Sequence, residues 1–505
     1  MSTRDRSIDR LPTAARRPKA WNGDVCKAAF DRAALIKPWT LAYASCSEDA
    51  LSTDRLTLKG RIPPSLSGTL YRNGPAKHER GNERYGHRWD GDGMVHAFRF
   101  GTRHVSHQGR FVETAKYLVE RAEDRFLIDA FGTNLSGLPL PDDIDELNAA
   151  NISVCMAGGE LLALWDPGSA YRLDPESLDT LGLKTWAPEL RGRAFSAHPK
   201  REPDGTLWNF GANPLKGELT VYCIDRNGVL KFFRTLQIPG LPTLHDFAIT
   251  EKHLVFVMSP IVLNKDRLQS GLSFGQACEW KPALGTRVLT ISRSDWTLRW
   301  YDLPAGCVFH NANAWEDPSG VIRLQFMSAQ DPIALAAGWA TMHGEYAHRL
   351  GARMTLVELD PRRGAKQVVN PAIEGEFPVV DPNFVGRRQR EVLCVGRSPS
   401  RDPSVPGFDE LVCFDVESGA AQRFSYGSDW MVEEHVFAPA TSGKSEWIVG
   451  TALNFKRRVT VVSVFSATSI ADGPIAQASL PYALPLGLHG LFVPTGPEVP
   501  ARSRA

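Results

Sequence analysis

The sequence predicts an all-β fold, a seven-bladed β-propeller with loops and short helices forming a cap over one face. Short apolar or alternating runs bounded by Gly, Pro, Asn and Asp recur from about residue 55 to the end, whereas sustained 3.6-residue periodicity is scarce. The 43 Gly and 35 Pro are scattered along the chain, as expected for many strands joined by tight turns. Five hairpin patterns also recur at a spacing close to the size of a propeller blade.

Each of these hairpins combines an apolar strand, a turn containing Asp or Ser, and a second strand. They begin at Tyr171, Tyr222, Leu289, Val357 and Val412, at spacings of 51, 67, 68 and 55 residues. At roughly 70 residues per repeat, a chain of 505 residues holds about seven four-stranded blades around a central axis. The sequence therefore favours one propeller over several unrelated domains.

A single propeller divides the chain into three predicted parts. Residues 1–50 form an N-terminal extension that is partly disordered, 51–495 form the propeller domain, and 496–505 form a C-terminal tail. The segment 131–151 departs from the strand pattern, since its Gly and Pro residues are followed by acidic ones. An insertion of this kind often covers a site, although a solvated acidic loop explains it equally well.

Composition and charge exclude several classes of function. The 58 Lys and Arg residues balance 57 Asp and Glu residues, so a nucleic-acid partner is not expected. The eight cysteines contain no CxxC pair, which argues against a zinc ribbon or a disulfide framework and indicates reduced, partly buried thiols. No apolar run reaches the roughly 20 residues that span a bilayer, and the Arg-rich start lacks the apolar core of a secretory signal. We expect a cytoplasmic protein without an obligate protein partner.

Three histidines follow three consecutive hairpins at similar distances. His198, His245 and His310 lie 27, 23 and 21 residues after the hairpin starts at 171, 222 and 289. Because the innermost strands of a propeller converge on its axis, equivalent positions in successive blades meet there, and imidazoles that meet can bind a metal. His489, near the end of the chain, can supply a fourth ligand from the closing blade. A lone histidine is more often a hydrogen-bonded core or surface residue, so spacing alone leaves both interpretations open.

Two N-terminal motifs make the sequence similar to a known family. Leu70-Tyr-Arg-Asn-Gly-Pro75, followed by Trp89-Asp-Gly-Asp-Gly-Met-Val-His-Ala-Phe-Arg-Phe100, resembles the N-terminal signature of the carotenoid cleavage oxygenases. The resemblance extends from about residue 50 to residue 495. The further matching motifs are Leu161-Leu-Ala-Leu-Trp-Asp-Pro-Gly168, Ala197-His-Pro-Lys200, Leu244-His-Asp-Phe247, Phe309-His-Asn-Ala-Asn-Ala-Trp-Glu316, Glu376-Phe-Pro378, Val385-Gly-Arg-Arg388, Glu434-His-Val-Phe-Ala-Pro439 and Leu488-His-Gly490.

The resemblance implies an iron(II) ion, Fe(2+), on the propeller axis beneath the cap, with molecular oxygen as cosubstrate and 51–495 as the catalytic domain. The four histidines that match the family's iron ligands are His198, His245, His310 and His489. In the family, three carboxylates accept hydrogen bonds from three of these imidazoles, which fixes the orientation and tautomer of each ring. By position, the pairs are Asp166 with His245, Glu376 with His310, and Glu434 with His489.

Two positions depart from the family pattern, and a third bears on the substrate class. Asp166 stands where the family has glutamate, and one methylene fewer shortens its reach by about 1.5 Å, so its bond to His245 must lengthen or the backbone must shift. Ile152 stands where a threonine or another small residue is expected near the open coordination position. Trp165 stands where relatives that cleave stilbenes tend to carry a lysine that contacts a phenol.

The resemblance implies a dioxygenase that cleaves a carbon–carbon double bond of an apolar polyene, a carotenoid or apocarotenoid, into two carbonyl products. The alternatives are cleavage of a stilbene or phenylpropene on the same fold, and an iron-containing binding protein with little turnover. Because polyenes reside in membranes, we expect an apolar tunnel and a transient peripheral membrane contact around its mouth. The Ala-rich stretch 333–339 is one candidate for that surface, and a buried helical turn is the more usual interpretation of such a stretch.

Overall fold

The computed structural model describes residues 21–135, 141, 143–349, 351–440 and 443–495. The predicted disordered start at 1–20, part of the acidic segment (136–140 and 142) and the C-terminal tail at 496–505 lie outside the described residues. The α-helices of the described ranges are α1 (Gly23–Ala34), α2 (Ala115–Glu123), α3 (Lys265–Gln269), α4 (Phe274–Ala277) and α5 (Ile333–Met342). Short 3-10 helices span Pro38–Tyr43, Arg88–Asp90, Ile144–Leu147, Pro188–Leu190, Pro282–Leu284, Pro382–Phe384 and Ile470–Asp472.

Strands are the main regular elements of the described chain and pair in antiparallel ladders. In chain order they are β1 (Ala50–Thr53), β2 (Thr57–Gly60), β3 (Gly68–Lys77), β4 (Glu79–Arg80), β5 (Glu83–Arg84), β6 (Asp92–Phe100), β7 (Val105–Phe111), β8 (Ser153–Ala157), β9 (Glu160–Leu164), β10 (Tyr171–Leu173), β11 (Thr180–Leu183), β12 (Lys200–Arg201), β13 (Leu207–Asn213), β14 (Glu218–Ile224), β15 (Leu230–Gln237), β16 (Ala248–Ile249), β17 (His253–Met258), β18 (Ile261–Leu263), β19 (Cys278–Trp280), β20 (Thr286–Ser292), β21 (Leu298–Leu303), β22 (Cys307–Glu316), β23 (Ile322–Ala329), β24 (Arg353–Asp360), β25 (Gly364–Val379), β26 (Glu391–Gly396), β27 (Glu410–Asp415), β28 (Ala421–Ser425), β29 (Trp430–Ala438), β30 (Trp447–Asn454), β31 (Val459–Ser466), β32 (Ala476–Ser479) and β33 (His489–Pro494).

The strands form seven consecutive blades. Blades 2, 3 and 4 are four-stranded sheets, built from β8–β11, from β12–β15, and from β16, β17, β20 and β21. Blade 7 runs from β29 to β32 with β2 at its outer edge, and blade 1 joins β1, β7, β6, β3 and the C-terminal β33. Blades 5 and 6 form one sheet from β22 to β28, because β25 pairs with β24 in its first part and with β26 in its last part. The prediction of a seven-bladed propeller is confirmed.

Apolar side chains fill the space between neighbouring blades. In β17, Val255 faces blade 5 while Leu254 and Phe256 face blade 3, since successive side chains of a strand point to opposite faces. In the described chain, one cluster of buried residues lies between each pair of adjacent blades, including blades 1 and 7. Burial on both faces holds the ring closed and places the first strands of the blades around one axis.

The five predicted hairpins are the outer hairpins of five consecutive blades. The segments starting at Tyr171, Tyr222 and Leu289 join the third and fourth strands of blades 2, 3 and 4. The segments starting at Val357 and Val412 do the same in blades 5 and 6. The repeat read from the sequence therefore corresponds to the repeat of the fold.

Residues ahead of the first blade pack on the ring. Helix α1 places Phe30 in a buried cluster with Trp39 and Tyr43 of the following 3-10 helix and with Met431 of blade 7.

None of the described helices is both long enough and apolar enough to cross a bilayer. All eight cysteines are free thiols, and six of them are buried.

Candidate metal centre

Four histidines meet at the centre of the ring. His198 and His245 lie in the loops that lead into β12 and β16, His310 lies in β22, and His489 begins β33. One nitrogen of each ring lies within 4.8 Å of the corresponding nitrogen of every other ring. The Nε2 atom of His245 is 3.0 Å from Nε2 of His198 and 3.3 Å from Nε2 of His310. The inner ends of four blades therefore bring the four predicted side chains together.

Three carboxylates accept hydrogen bonds from three of these imidazoles, on the side of each ring that faces away from the centre. In each pair the Nδ1–H of the ring donates to a carboxylate oxygen, which leaves Nε2 directed at the other histidines. Within the described residues, His198 has no carboxylate partner of this kind. The pairs and their nitrogen–oxygen distances are His245 with Asp166 (2.5 Å), His310 with Glu376 (2.7 Å), and His489 with Glu434 (2.9 Å).

The tautomers of these rings suit a bound cation. Because a carboxylate accepts the Nδ1 proton, the Nε2 atoms of His245 and His310 carry lone pairs and cannot donate to each other. Two lone pairs 3.3 Å apart repel each other unless a cation lies between them. Two nitrogens each ~2.1 Å from one ion in adjacent coordination positions are ~3.0 Å apart. That is the separation between His198 and His245, so the donor set fits a metal ion.

Burial and the carboxylates set the charges at the centre. Burial and the neighbouring imidazoles hold the pKa of His198 well below its usual range, and burial lowers the pKa of His489 although Glu434 opposes it. At His245, burial is outweighed by the Asp166 carboxylate, which raises the pKa of that imidazole. Burial acts to raise the pKa of Glu434, but the His489 imidazole outweighs it and the pKa is lowered. Metal binding requires neutral imidazoles and ionised carboxylates, which the pKa shifts of His198, His489 and Glu434 favour, whereas at His245 the metal must displace a proton that Asp166 stabilises.

Asp166 reaches its histidine in spite of its shorter side chain. Of the two expected consequences, a longer bond or a backbone shift, the 2.5 Å bond from His245 to the Asp166 carboxylate excludes the first and leaves the second. The second oxygen, Oδ1, accepts from the main-chain N–H of Ala197 at 3.0 Å. Asp166 therefore connects the His245 imidazole to the loop that carries His198.

Ile152 and Trp165 pack together beside the centre. Both contribute to an apolar cluster with Leu147 and Ala149 of the segment 131–151. The main-chain carbonyl of Ile152 accepts from the N–H of His489 at 3.3 Å. The side chain that stands in place of a small residue is thus accommodated by packing against Trp165, and its backbone supports one of the four histidines.

Aromatic rings line the approach to the histidines. The ring of Phe309 lies 5.7 Å from that of His245 and 5.8 Å from that of Trp89, which in turn lies 5.3 Å from Phe131. On another side of the centre, the ring of Phe377 stacks on the His310 imidazole, with the two ring centroids 5.2 Å apart. Because Phe131 belongs to the segment 131–151, that segment contributes to the wall of the site. Walls of this kind exclude water from the space in front of the imidazoles.

Buried Asp90 fastens the cap over this face of the ring. Its carboxylate accepts from the main-chain N–H of Gly132 and from the hydroxyl of Thr133, each at 2.6 Å. The neighbouring His87 donates through Nε2 to the Leu335 carbonyl of α5 at 3.1 Å. Loops and short helices therefore form the predicted cap, and a buried carboxylate and imidazole hold it in place.

Three residues around the centre were missed by sequence reasoning: Phe377, Arg72 and Glu433. Phe377 has a φ of 55°, which residues other than glycine rarely adopt, and its N–H donates to Glu376 at 2.9 Å. Arg72 and Glu433 contact the backbone next to His489 and its carboxylate partner. Each of the three stands inside or beside a matching motif, which is the signal that could have identified them.

Comparison with known proteins agrees with this geometry. Residues 43–494 match the family model described as retinal pigment epithelial membrane protein. The chain is 30% identical over 469 residues to the apocarotenoid-15,15'-oxygenase of Synechocystis sp., across 87% of this chain and 92% of that protein. It is 26% identical over 473 residues to the isoeugenol monooxygenase of Pseudomonas nitroreducens, across 87% of this chain and 94% of that protein. Cobalt-substituted apocarotenoid oxygenase of Synechocystis has a similar structure, with a TM-score of 0.83 and 26% identity over 91% of this chain and 99% of that one.

The family match covers nearly the whole propeller, from the 3-10 helix ahead of blade 1 to β33. It includes all four histidines and all three carboxylates of the centre. The resemblance carried by the motifs at 70–75 and 89–100 is therefore confirmed. The chain belongs to the retinal pigment epithelial membrane protein family, which is the family of the carotenoid cleavage oxygenases.

Proposed function

We propose that this protein is a non-haem iron(II) dioxygenase that cleaves one carbon–carbon double bond of a carotenoid or apocarotenoid into two carbonyl products. The observation that carries the proposal is the convergence of four imidazoles whose Nε2 lone pairs face one point. Four nitrogen ligands leave two positions of a six-coordinate ion open. The proposed ligands are His198, His245, His310 and His489, and the proposed supporting carboxylates are Asp166, Glu376 and Glu434.

The chain's own residues bind the metal, orient the substrate and exclude water from the site. Bound iron(II) supplies the redox chemistry that allows dioxygen to react with an alkene. The two oxygen atoms end in the two carbonyl products, so the reaction balances without a further reductant. The carboxylates offset the charge that four neutral ligands leave uncompensated. The rings of Phe309, Trp89 and Phe131 form an apolar wall against which an extended polyene packs.

Apolar packing beside Asp166 favours a polyene over a phenolic stilbene or phenylpropene. Trp165 is buried among Leu147, Ala149 and Ile152. This apolar cluster is an unfavourable environment for the ammonium group of a lysine. A phenol that enters this region leaves its hydroxyl without the lysine partner expected in stilbene cleavers, and an unpaired buried hydroxyl weakens binding. The relatives include an isoeugenol monooxygenase, so the phenolic alternative is tested alongside.

The proposal predicts loss of long-wavelength absorbance when the iron-loaded protein meets oxygen and an all-trans apocarotenal. The protein is reconstituted anaerobically with iron(II), exposed to oxygen with the polyene, and the products are separated by mass. Two shorter carbonyl products identify the cleaved bond. An isoeugenol-like phenylpropene and a resveratrol-like stilbene are offered in parallel reactions. Product from a phenolic compound alone would overturn the preference for a polyene, and tight iron binding without any product would favour a binding protein.

Asp166→Asn is expected to weaken metal binding by ~10- to 100-fold, because it removes the charge that accepts the Nδ1 proton of His245. Asp166→Glu is expected to leave turnover close to that of the wild type, since the aspartate already forms this bond. Isothermal titration with the metal and steady-state turnover measure the two effects. A large gain of activity in Asp166→Glu, from a silent wild type, would instead support the binding-protein alternative.

We infer that a transient peripheral membrane contact surrounds the end of α5. Leu35 and Ile36 are 85% and 76% exposed, and the next residue, Lys37, donates to the Gly344 carbonyl just beyond α5 at 2.8 Å. Helix α5 has no charged residue between Ile333 and Met342, and the candidate stretch 333–339 within it is mostly half-buried, with Ala334 and Ala336 exposed. A membrane-bound polyene requires this kind of apolar surface.

Leu35→Asp is expected to reduce the fraction of protein that sediments with neutral phospholipid vesicles, because a carboxylate resists entry into the headgroup region. Val368→Asp, at an equally apolar and 56% exposed position of β25 on the rim of the ring, is the matched control and should sediment like the wild type. Equal loss in both variants, or in neither, would remove α5 and Leu35 as the contact.

A further inference from the structure

Arg72 of β3 is buried where the ring closes. Its side chain is 2% exposed and reaches between β29 and the turn at 487–490, here called the closing turn. Nη1 donates to the main-chain carbonyl of Glu434 at 2.8 Å, and Nη2 donates to the carbonyl of Leu488 at 3.3 Å. One guanidinium therefore holds the backbone of a supporting carboxylate and the backbone directly ahead of His489.

Two adjacent carboxylates hold the closing turn at its two ends. Glu433 accepts from the N–H of Gly487 at 2.6 Å, and Glu434 accepts from the N–H of Gly490 at 2.7 Å. The Thr451 hydroxyl donates to Glu433, and Arg72 lies 3.4 Å from the same carboxylate. Glu433 contacts no imidazole of the centre in the described chain, so its role differs from that of Glu434.

The closing turn also lies directly against the first blade. The N–H of Leu488 donates to the Asn73 carbonyl at 2.8 Å, and His489 pairs with Asn73 across β33 and β3. A Cβ atom added at Gly74 would lie 2.4 Å from the Cα of Gly487, so only glycine permits this approach. The turn that presents His489 is thus enclosed by residues from both ends of the chain.

We propose that Arg72 and Glu433 are positioning residues that hold the His489 imidazole on the metal by locking the closing turn between the first and the last blade. This inference rests on the proposed metal site and names two residues that support it without touching it. Arg72 orients both members of the pair formed by His489 and Glu434. Its guanidinium binds the carbonyl of Leu488, directly ahead of His489, and the main-chain carbonyl of Glu434 itself. Small displacements of a ligand are costly, because coordination depends steeply on geometry.

His489 needs this lock more than the other three histidines do. It lies on β33, an edge strand whose partner in the described sheet is β3 alone. The other three histidines lie in or beside strands that continue into complete blades. Within the described residues, neither Asp166 nor Glu376 forms an ion pair with an arginine or lysine, whereas Glu434 lies 3.7 Å from Arg72.

The test measures cobalt(II) binding, which reports ligand geometry through visible absorption bands without requiring turnover. Arg72→Met is expected to raise the dissociation constant of cobalt(II) by ~10- to 100-fold and to change the visible bands. Glu433→Gln is expected to change both in the same direction by a smaller factor, since glutamine still accepts from Gly487. Arg72→Lys should remain close to Arg72→Met, because one ammonium group cannot reach both carbonyls.

Arg84→Met is the matched control. Arg84 is also completely buried and also donates to main-chain carbonyls, including that of Met342 at 3.1 Å, yet it contacts neither β29 nor the closing turn. It is expected to lower the unfolding temperature while leaving the cobalt spectrum unchanged. Wild-type affinity and spectrum in both Arg72→Met and Glu433→Gln would overturn the inference alone. A wild-type protein that binds no cobalt through histidine would overturn the proposed metal site and this inference together.

Discussion

His310→Ala is expected to abolish polyene cleavage and to weaken metal binding by more than ~100-fold, beyond the loss caused by removing a supporting carboxylate. The Nε2 atom of His310 lies 3.3 Å from that of His245, so its loss opens one side of the centre. It also leaves the Glu376 carboxylate without the proton that it accepts at 2.7 Å. The partly buried carboxylate then keeps only the N–H of Phe377 among these partners, which favours a rearrangement of the remaining rings.

Metal content after dialysis and product analysis by mass measure this effect. His104→Ala makes the same chemical change at an exposed position of blade 1 and should match the wild type in both measurements. Circular dichroism checks that the propeller is intact in each variant. A His310→Ala protein that retains stoichiometric iron and cleavage would show that these imidazoles do not form the reactive centre.

The repeat could be predicted from sequence only where a blade ends in a compact hairpin. Blades 2 to 6 end in turns with Asp or Ser, and these five turns gave the period. Blade 1 lacks the signal, because the turn that joins its strands β6 and β7, Gly101-Thr-Arg-His104, contains neither Asp nor Ser. Blade 7 lacks it because a 3-10 helix, Ile470–Asp472, interrupts the connection to β32.

Strand β25 shows a feature that strand patterns do not reveal. Its 16 residues serve as the outer strand of blade 5 and continue as the inner strand of blade 6. Pro371 lies within it, and a proline usually indicates a break in a strand. The register shifts on both sides of this strand accommodate the change of partner, and local sequence does not encode which blade a strand joins.

At the centre, the histidines were predictable and the second acidic residue beside Glu434 was not. In a regular strand, neighbouring side chains point to opposite faces, so Glu433 and Glu434 should not serve the same turn. A register shift between Val432 and His435 breaks this alternation in β29. Both carboxylates therefore reach the closing turn, a result of bulge geometry that residue spacing alone does not give.

Lys116→Met is expected to lower the free energy of unfolding by about 3–5 kcal/mol, because it breaks a buried ion network. Lys116, on α2, is fully buried and donates to Asp92 and to Glu120, each at 2.9 Å. Arg80 pairs with Asp92 at 2.7 Å, so two cations balance two anions. Burial would lower the pKa of Lys116, but the two carboxylates outweigh it and raise the pKa, which keeps the ammonium charged. Methionine fills the volume of the lysine side chain but carries no charge. The carboxylates of Asp92 and Glu120 then share Arg80 as their cationic partner.

The same network also holds in place the loop that leads to the metal centre, so Lys116→Met should also change substrate binding. Glu120 accepts from the main-chain N–H groups of Leu127 and Ile128, each at 3.0 Å, shortly before Phe131 enters the aromatic wall. Denaturant unfolding and steady-state kinetics of the same preparations measure the two effects, and we expect KM to rise more than kcat falls. Lys456→Met breaks an exposed pair with Asp429 and should cost less than ~1 kcal/mol. If Lys116→Met were as stable as that control, the four charges would not act as a unit, and the cap would depend on its apolar contacts alone.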